Sequence, residues 1–335
     1  MSPSVQGSEL PQLTKAALKM KINKLTTLGS LLLIASGFVG AEEMKVYGRV
    51  HAGVQYSDIA DDSQTSIESY ASRLGVKGQA QVSDGLEAFF KYEFEVNPAD
   101  NDKDGKNGEN ITARSQYVGV KGSFGQVLIG RDDTAVKKSQ GSIDMMNDFE
   151  ADIKVLFAGE NRLGDTIQYT TPELNHLKFV VSYIAEDNSK QKGESGISVA
   201  GMYGDSKLKK TPIYISVAHD SEVAGQDINR VTVQGRVGNA TLGGMYQQSE
   251  KIDNDDKVDS YMVSASYKID SYKLLAQYQD SDGASGKLAE AGNATSLGVE
   301  KSLSKQARMY IWYSQFNLDN TPDQEHMALT LRYDF

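Results

Sequence analysis

Apolar and polar residues alternate from residue 44 to the C-terminus with few interruptions. Met44, Val46, Gly48, Val50, Ala52, Val54 and Tyr56 share one face of an extended chain, and Lys45, Tyr47, Arg49, His51 and Gln55 share the other. A repeat of two marks a β-strand. The pattern returns in Leu86, Ala88, Phe90, Tyr92 and Phe94 opposite Glu87, Lys91, Glu93 and Glu95. It closes the chain with Leu329, Leu331, Tyr333 and Phe335 opposite Thr330, Arg332 and Asp334. About sixteen such strands are predicted, starting near residues 44, 70, 85, 112, 125, 164, 177, 196, 211, 228, 240, 257, 271, 293, 305 and 326. Tight turns (Val82-Ser83-Asp84-Gly85, Val237-Gly238-Asn239-Ala240) alternate with long polar connections at residues 58–68, 97–110, 132–163 and 280–291.

The N-terminus breaks the pattern. Lys21 and Lys24 precede an uncharged apolar run from Leu25 to Val39, and Val39-Gly40-Ala41 offers small residues for cleavage. This is the layout of a secretory signal peptide, too short for a stable span. Two regions follow: an N-terminal extension and signal peptide over residues 1–41, with Met20 as a candidate start, and one β-domain over residues 42–335. Removing residues 1–41 takes away four Lys and one Glu and leaves a net charge of −13 in place of −10.

The chemistry of the two faces separates a soluble sandwich from a barrel in lipid. The polar stripe carries both charge signs with many Gln, Ser and Thr, and the apolar stripe repeatedly ends in Tyr or Phe. Aromatic ends on an apolar band fit the girdles of a membrane barrel. Sixteen antiparallel strands need closure to remove their edges, and closure at that number encloses an aqueous lumen. The mean hydropathy of −0.44 excludes a bundle of membrane helices but not such a barrel. The expected fold is therefore all-β: a 16-stranded antiparallel transmembrane β-barrel behind a cleaved signal peptide.

At the level of local motifs the chain resembles the general porins of the Gram-negative outer membrane. VYGRVHAGVQY (46–56), SRLGVKG (72–78), ARSQYVGVKGSFGQVLIGRDDT (113–134) and the terminal LTLRYDF (329–335) carry the likeness, in order, over residues 42–335. The resemblance implies a homotrimer that passes small hydrophilic solutes and ions, with a third loop folded inward at a charged constriction. It also implies outer-membrane lipids, lipopolysaccharide and the barrel assembly machinery as partners, and Tyr333 and Phe335 as an assembly signal. Arg49, Arg73 and Arg114 match the family's basic wall, with Arg162 as a fourth. The inward loop falls at residues 132–161, and Asp144, Asp148 and Glu150 are its candidate acids. Asp144 and Asp148 would share a face if residues 142–149 formed a helical turn. The Pro-Glu-Phe-Gly signature of enteric relatives is absent.

Other chemistry finds little support. No Cys is present, which excludes disulfides and Cys-based metal sites. The acidic balance excludes a nucleic-acid partner. It hints at cation preference, which the arginine wall could reverse. Asp100-Asn-Asp102-Lys-Asp104-Gly105 imitates the start of an EF-hand loop, but position twelve is Ile111, not Glu, so it reads as an acidic outer loop. No nucleophile elbow or HExxH motif appears, and neither an enzyme nor a cofactor or metal is expected. Two alternatives stand beside a diffusion channel. A solute-selective channel, for sugars for example, would need lumen aromatics such as Phe89, Tyr310 and Trp312. A secreted β-sandwich binding protein would bury its apolar stripe.

Overall fold

The computed structural model describes residues 43–99, 110–254 and 256–335. The segment expected to be a signal peptide, residues 1–41, and the Asp100 to Gly105 run lie outside the described residues.

The strands are β1 (Glu43–Ile59), β2 (Asp62–Ser69), β3 (Arg73–Ser83), β4 (Leu86–Val96), β5 (Ile111–Gly122), β6 (Gly125–Asp133), β7 (Arg162–Thr170), β8 (Leu177–Ile184) and β9 (Gly196–Tyr203). They continue with β10 (Ile213–Val223), β11 (Gln226–Val237), β12 (Ala240–Lys251), β13 (Lys257–Ile269), β14 (Tyr272–Ser281), β15 (Gly292–Ser302), β16 (Ala307–Leu318) and β17 (Gln324–Asp334). Neighbours in sequence pair antiparallel except β2 and β3, and β1 pairs with β17 from Arg49↔Asp334 to Ile59↔Gln324, which closes the sheet. On its other side β1 meets β3 over Glu43–Arg49 and β2 over Ala52–Ile59. β2 and β3 are thus two pieces of one wall strand, and the barrel has sixteen. The break falls at Tyr70–Ser72, where Ala71 has φ 49° and the Ser72 hydroxyl takes over the backbone of His51, accepting its N–H at 2.9 Å.

The alternation sorts the side chains as the pattern requires. Val46, Val50 and Val54 on β1, Ile213, Ile215 and Val217 on β10, and Leu329 and Leu331 on β17 are all exposed on the outer face. Exposed Tyr203, Tyr267, Tyr272, Tyr333 and Phe335 rim the short-turn end, and exposed Tyr56, Tyr183, Tyr246 and Tyr261 rim the long-loop end. Lys301 lays its ammonium 3.8 Å from the centre of the Tyr272 ring, as an interfacial lysine does. A continuous apolar belt of this extent has no counterpart on a soluble monomer. The sandwich alternative therefore fails: the apolar stripe faces outward from a closed sheet and does not pair with a second one. At the seam the Phe335 N–H donates to the Gly48 carbonyl at 3.1 Å and the Gly48 N–H returns the bond at 3.0 Å, so the last residue takes part in closure.

Candidate functional site: the lumen and its inward loop

The connection from β6 to β7 enters the barrel. It opens with a short helix, α1 (Ala135–Ser139), whose Thr134 hydroxyl accepts from the Lys137 N–H at 3.3 Å. Ala135, Val136 and Ala158 pack on Val180, Ala200, Met202, Tyr214 and Ile228 of the wall. The next stretch buries Ile143, Met146, Phe149, Ile153, Leu156 and Phe157 against Met245, Met262, Leu275, Tyr310, Trp312 and Phe316. The loop thus lies along the inside of the wall from β8 round to β17.

Polar wall residues satisfy the loop's backbone. Gln277 and Gln279 each donate to the Ala151 carbonyl at 3.0 Å, Gln234 donates to Ser142 at 3.0 Å, and Tyr214 and Ser216 donate to Ser139 at 3.1 and 2.6 Å. An irregular segment buried in a barrel needs such partners, because each unpaired backbone group costs about 1–3 kcal/mol. Arg230 is the deepest anchor. Its fully buried guanidinium binds Glu160 at 2.7 Å, Gln247 at 2.7 Å, and the Val136 and Ala158 carbonyls at 3.2 and 3.0 Å.

The loop presents Asp148 to the opposite side. No helix forms over residues 142–149, which are linked turns. Asp148 sits at φ 74° with its N–H on the Asp152 carboxylate at 3.2 Å. Its own Oδ2 receives Arg49 at 2.8 Å and Arg73 at 2.9 Å. Asp144 does not share that face. Its carboxylate accepts the N–H groups of Met146 and Ile153 at 2.9 and 3.0 Å and so braces the loop. Burial, with Asp152 nearby, raises the Asp144 pKa well above the usual carboxyl range. Burial likewise raises that of Glu160, against the pull of Arg230. Glu150 accepts from Gln55 at 3.1 Å.

The other arginines take different partners. Arg114 binds Glu93 at 3.0 Å and Glu95 at 2.6 Å, both on neighbouring β4. Arg162 pairs with Asp133 at 2.8 Å at the root of the loop. Three residues that sequence reasoning did not single out complete the cluster around Arg49: Asp334 accepts from Arg49 at 3.0 Å, from Arg308 at 2.8 Å and from Arg332 at 3.0 Å. Arg332 and Asp334 lie on the polar stripe of the last strand, yet their place beside Arg49 follows only from the β1–β17 seam. Arg49, Arg73, Arg308 and Arg332 thus share Asp148 and Asp334, with Glu300 3.4 Å from Arg308, and positive charge is in excess. His51 is a buried wall residue 2.9 Å from the Thr330 hydroxyl. Among the described residues no group of three or more acidic or imidazole side chains is arranged to hold a metal ion.

This geometry agrees with the comparisons to known proteins. A family model described as Gram-negative porin matches residues 27–321. The major outer membrane protein P.IB of Neisseria sicca is 27% identical over 176 residues, which are 49% of this chain and 48% of that protein. The chain thus spans about half the length of the neisserial relatives it matches. The monosaccharide porin of a Halomonas species is 22% identical over 335 residues, 90% of this chain and 91% of its own. Among solved structures, the anion-selective porin of Comamonas acidovorans superposes with a TM-score of 0.69 at 21% identity, covering 88% of this chain and 99% of that one, a likeness of fold. With the matched region taking in most of the barrel, the chain belongs to the Gram-negative porin family.

Proposed function

We propose that the protein is an outer-membrane channel for passive diffusion of small hydrophilic solutes and ions, and not an enzyme. One observation carries the reading: inside a closed barrel, an inward loop holds Asp148 against Arg49 and Arg73. The loop covers the inner wall of β8 to β17, so the passage runs between its free face and the wall of β3 to β6. Its width sets the size limit. Guanidinium does not titrate in a protein, so the positive side is fixed. Charges facing a narrow, low-dielectric opening concentrate the field there and bias permeation. Arg49, Arg73 and Arg114 form the basic wall, Asp148 is the principal facing acid, and Arg162 and Glu150 flank it. Around Arg49 four guanidinium groups outnumber Asp148, Asp334 and Glu300 by one, which favours anions at this point despite the net charge of −13 over residues 42–335.

The sugar-selective alternative loses two of its three aromatics, since Tyr310 and Trp312 are 7% and 1% exposed beneath the loop. The family resemblance supports a homotrimer in contact with lipid and lipopolysaccharide, assembled by the barrel machinery through Tyr333 and Phe335. Purified protein in a planar bilayer is expected to conduct in steps grouped by three. Arg49→Gln with Arg73→Gln is expected to shift the reversal potential toward cations; an unchanged potential removes both from the narrow point. Deleting Phe335 is expected to lower the yield of folded barrel in the outer membrane, and a parental yield would refute its part in assembly.

A further inference from the structure

Toward the short-turn end, below the arginines, the uncovered wall carries basic residues that the constriction does not use. Register sets Lys45 opposite Lys77 and Lys77 opposite Lys91, so three ammonium side chains form one row across β1, β3 and β4. Lys121 stands nearby on β5. Like charges directly opposite one another destabilise a sheet, and the carboxylates present relieve this only in part. Glu93 reaches Lys91 at 3.2 Å but also serves Arg114, and Glu87 reaches Lys121 at 3.2 Å. Lys77 meets the face of Tyr47, 5.4 Å from the ring centre, and has no carboxylate partner among the described residues; neither has Lys45. Glu43 is the acid left on this cavity.

Aromatic rings lie beside the row. Phe89 sits over Gly119, where a Cβ would come within 2.5 Å of the ring, and Tyr47 sits over Gly75, where the distance would be 2.6 Å. Both glycines leave room for a ring against the wall, on the inward stripe of the alternation. Tyr117 meets Phe89 edge-on, with ring centres 6.0 Å apart. Lys45, Lys77, Lys91, Lys121, Phe89 and Tyr117 line a cavity of about 350 Å³, within the range of small-molecule sites. Unspent ammonium groups would take carboxylates, and the ring of the same solute would stack on Phe89 or Tyr117.

We propose that this cradle binds anions that carry an aromatic ring, aryl polycarboxylates as a class, as they pass through the lumen. The proposal rests on the channel reading above. Channels in a planar bilayer in KCl would be titrated with benzene-1,3,5-tricarboxylate and, separately, with propane-1,2,3-tricarboxylate, which bears the same charge without a ring. The aromatic probe is expected to reduce the current at about tenfold lower concentration. Lys45→Gln with Lys77→Gln is expected to weaken block by both probes about tenfold, and Phe89→Leu to weaken block by the aromatic probe alone. If the lysine pair fails to yield a folded barrel, the Phe89 variant still decides. A conducting channel that both probes block equally, or whose aromatic block survives Phe89→Leu, overturns the cradle alone. A folded barrel that passes no KCl current overturns the channel reading and the cradle with it.

Discussion

The inner wall of the barrel has two halves that share an alternation and differ in what covers them. From β8 to β17 most inward-facing residues lie beneath the loop, chiefly Gln, Ser, Met, Leu and Trp with the buried Arg230, while Arg308 and Arg332 stand past its edge beside Arg49. From β3 to β6 they stay open to the lumen and are Arg, Lys, Glu and half-exposed aromatics. A covered wall must fill space and satisfy backbone, as a protein core does. An open wall can hold charge, because water shares the work of solvating it. The arginine buried beneath the loop shows the rule from the other side: Arg230 is kept there by a carboxylate, a glutamine and two carbonyls.

The largest effect should come from breaking the covered half at that arginine. Arg230→Met leaves Glu160 buried without its partner, a change that costs about 3–5 kcal/mol. The loop is expected to leave its seat while the barrel persists, giving larger and noisier conductance and protease cleavage within residues 134–161; a quiet channel of parental conductance would refute the anchoring role. On the open half Asp148→Asn should do less. Arg49 and Arg73 lose a shared partner but keep contact with the open passage, so the cost to stability is smaller than at the fully buried Arg230. Anion preference is expected to rise, read as a reversal potential displaced opposite to the double arginine variant.

The smallest effect distinguishes the halves by pH. The Asp144 and Glu160 carboxyls have raised pKa values, so the seated loop keeps protons that a released loop gives up. Stability linked to them therefore falls as pH rises from the ordinary carboxyl range, near 4, through their raised values, and returns on acidification. Hydrogen exchange over residues 134–161, corrected for intrinsic rate, is expected to slow between pH 7 and 5. This dependence is expected to shrink in Asp144→Asn; faster exchange at pH 5 would contradict the sign.

How much of this was legible in the sequence follows from the same contrast. Contact with lipid imposes a strict period of two on the outer face, and the predicted strand starts fall within three residues of the observed ones at every strand but the second. That strand is broken at Tyr70–Ser72 and reappears as β2 and β3, both paired to β1, and nothing in the alternation marks the break. The family motifs led to Arg49 and Arg73. The loop acids were harder, because two aspartates four apart look alike until the turns are known. The left-handed backbone at Asp148 sends one carboxylate to the arginines, while Asp144 turns back on its own N–H groups. Trp312 reads as a lumen aromatic by alternation, and only the loop lying on it shows why it faces inward. Asp334 needed the seam, a contact between residues 285 positions apart.

We infer a water-filled passage whose narrowest part, around Arg49, carries more guanidinium than carboxylate. The reversal potential of the purified protein in a planar bilayer, across a tenfold KCl gradient, tests it most directly. Stepwise conductance and a potential displaced toward that of chloride are expected. A potential displaced toward that of potassium would contradict the charge assignment, and a folded barrel that passes no current would contradict the channel itself.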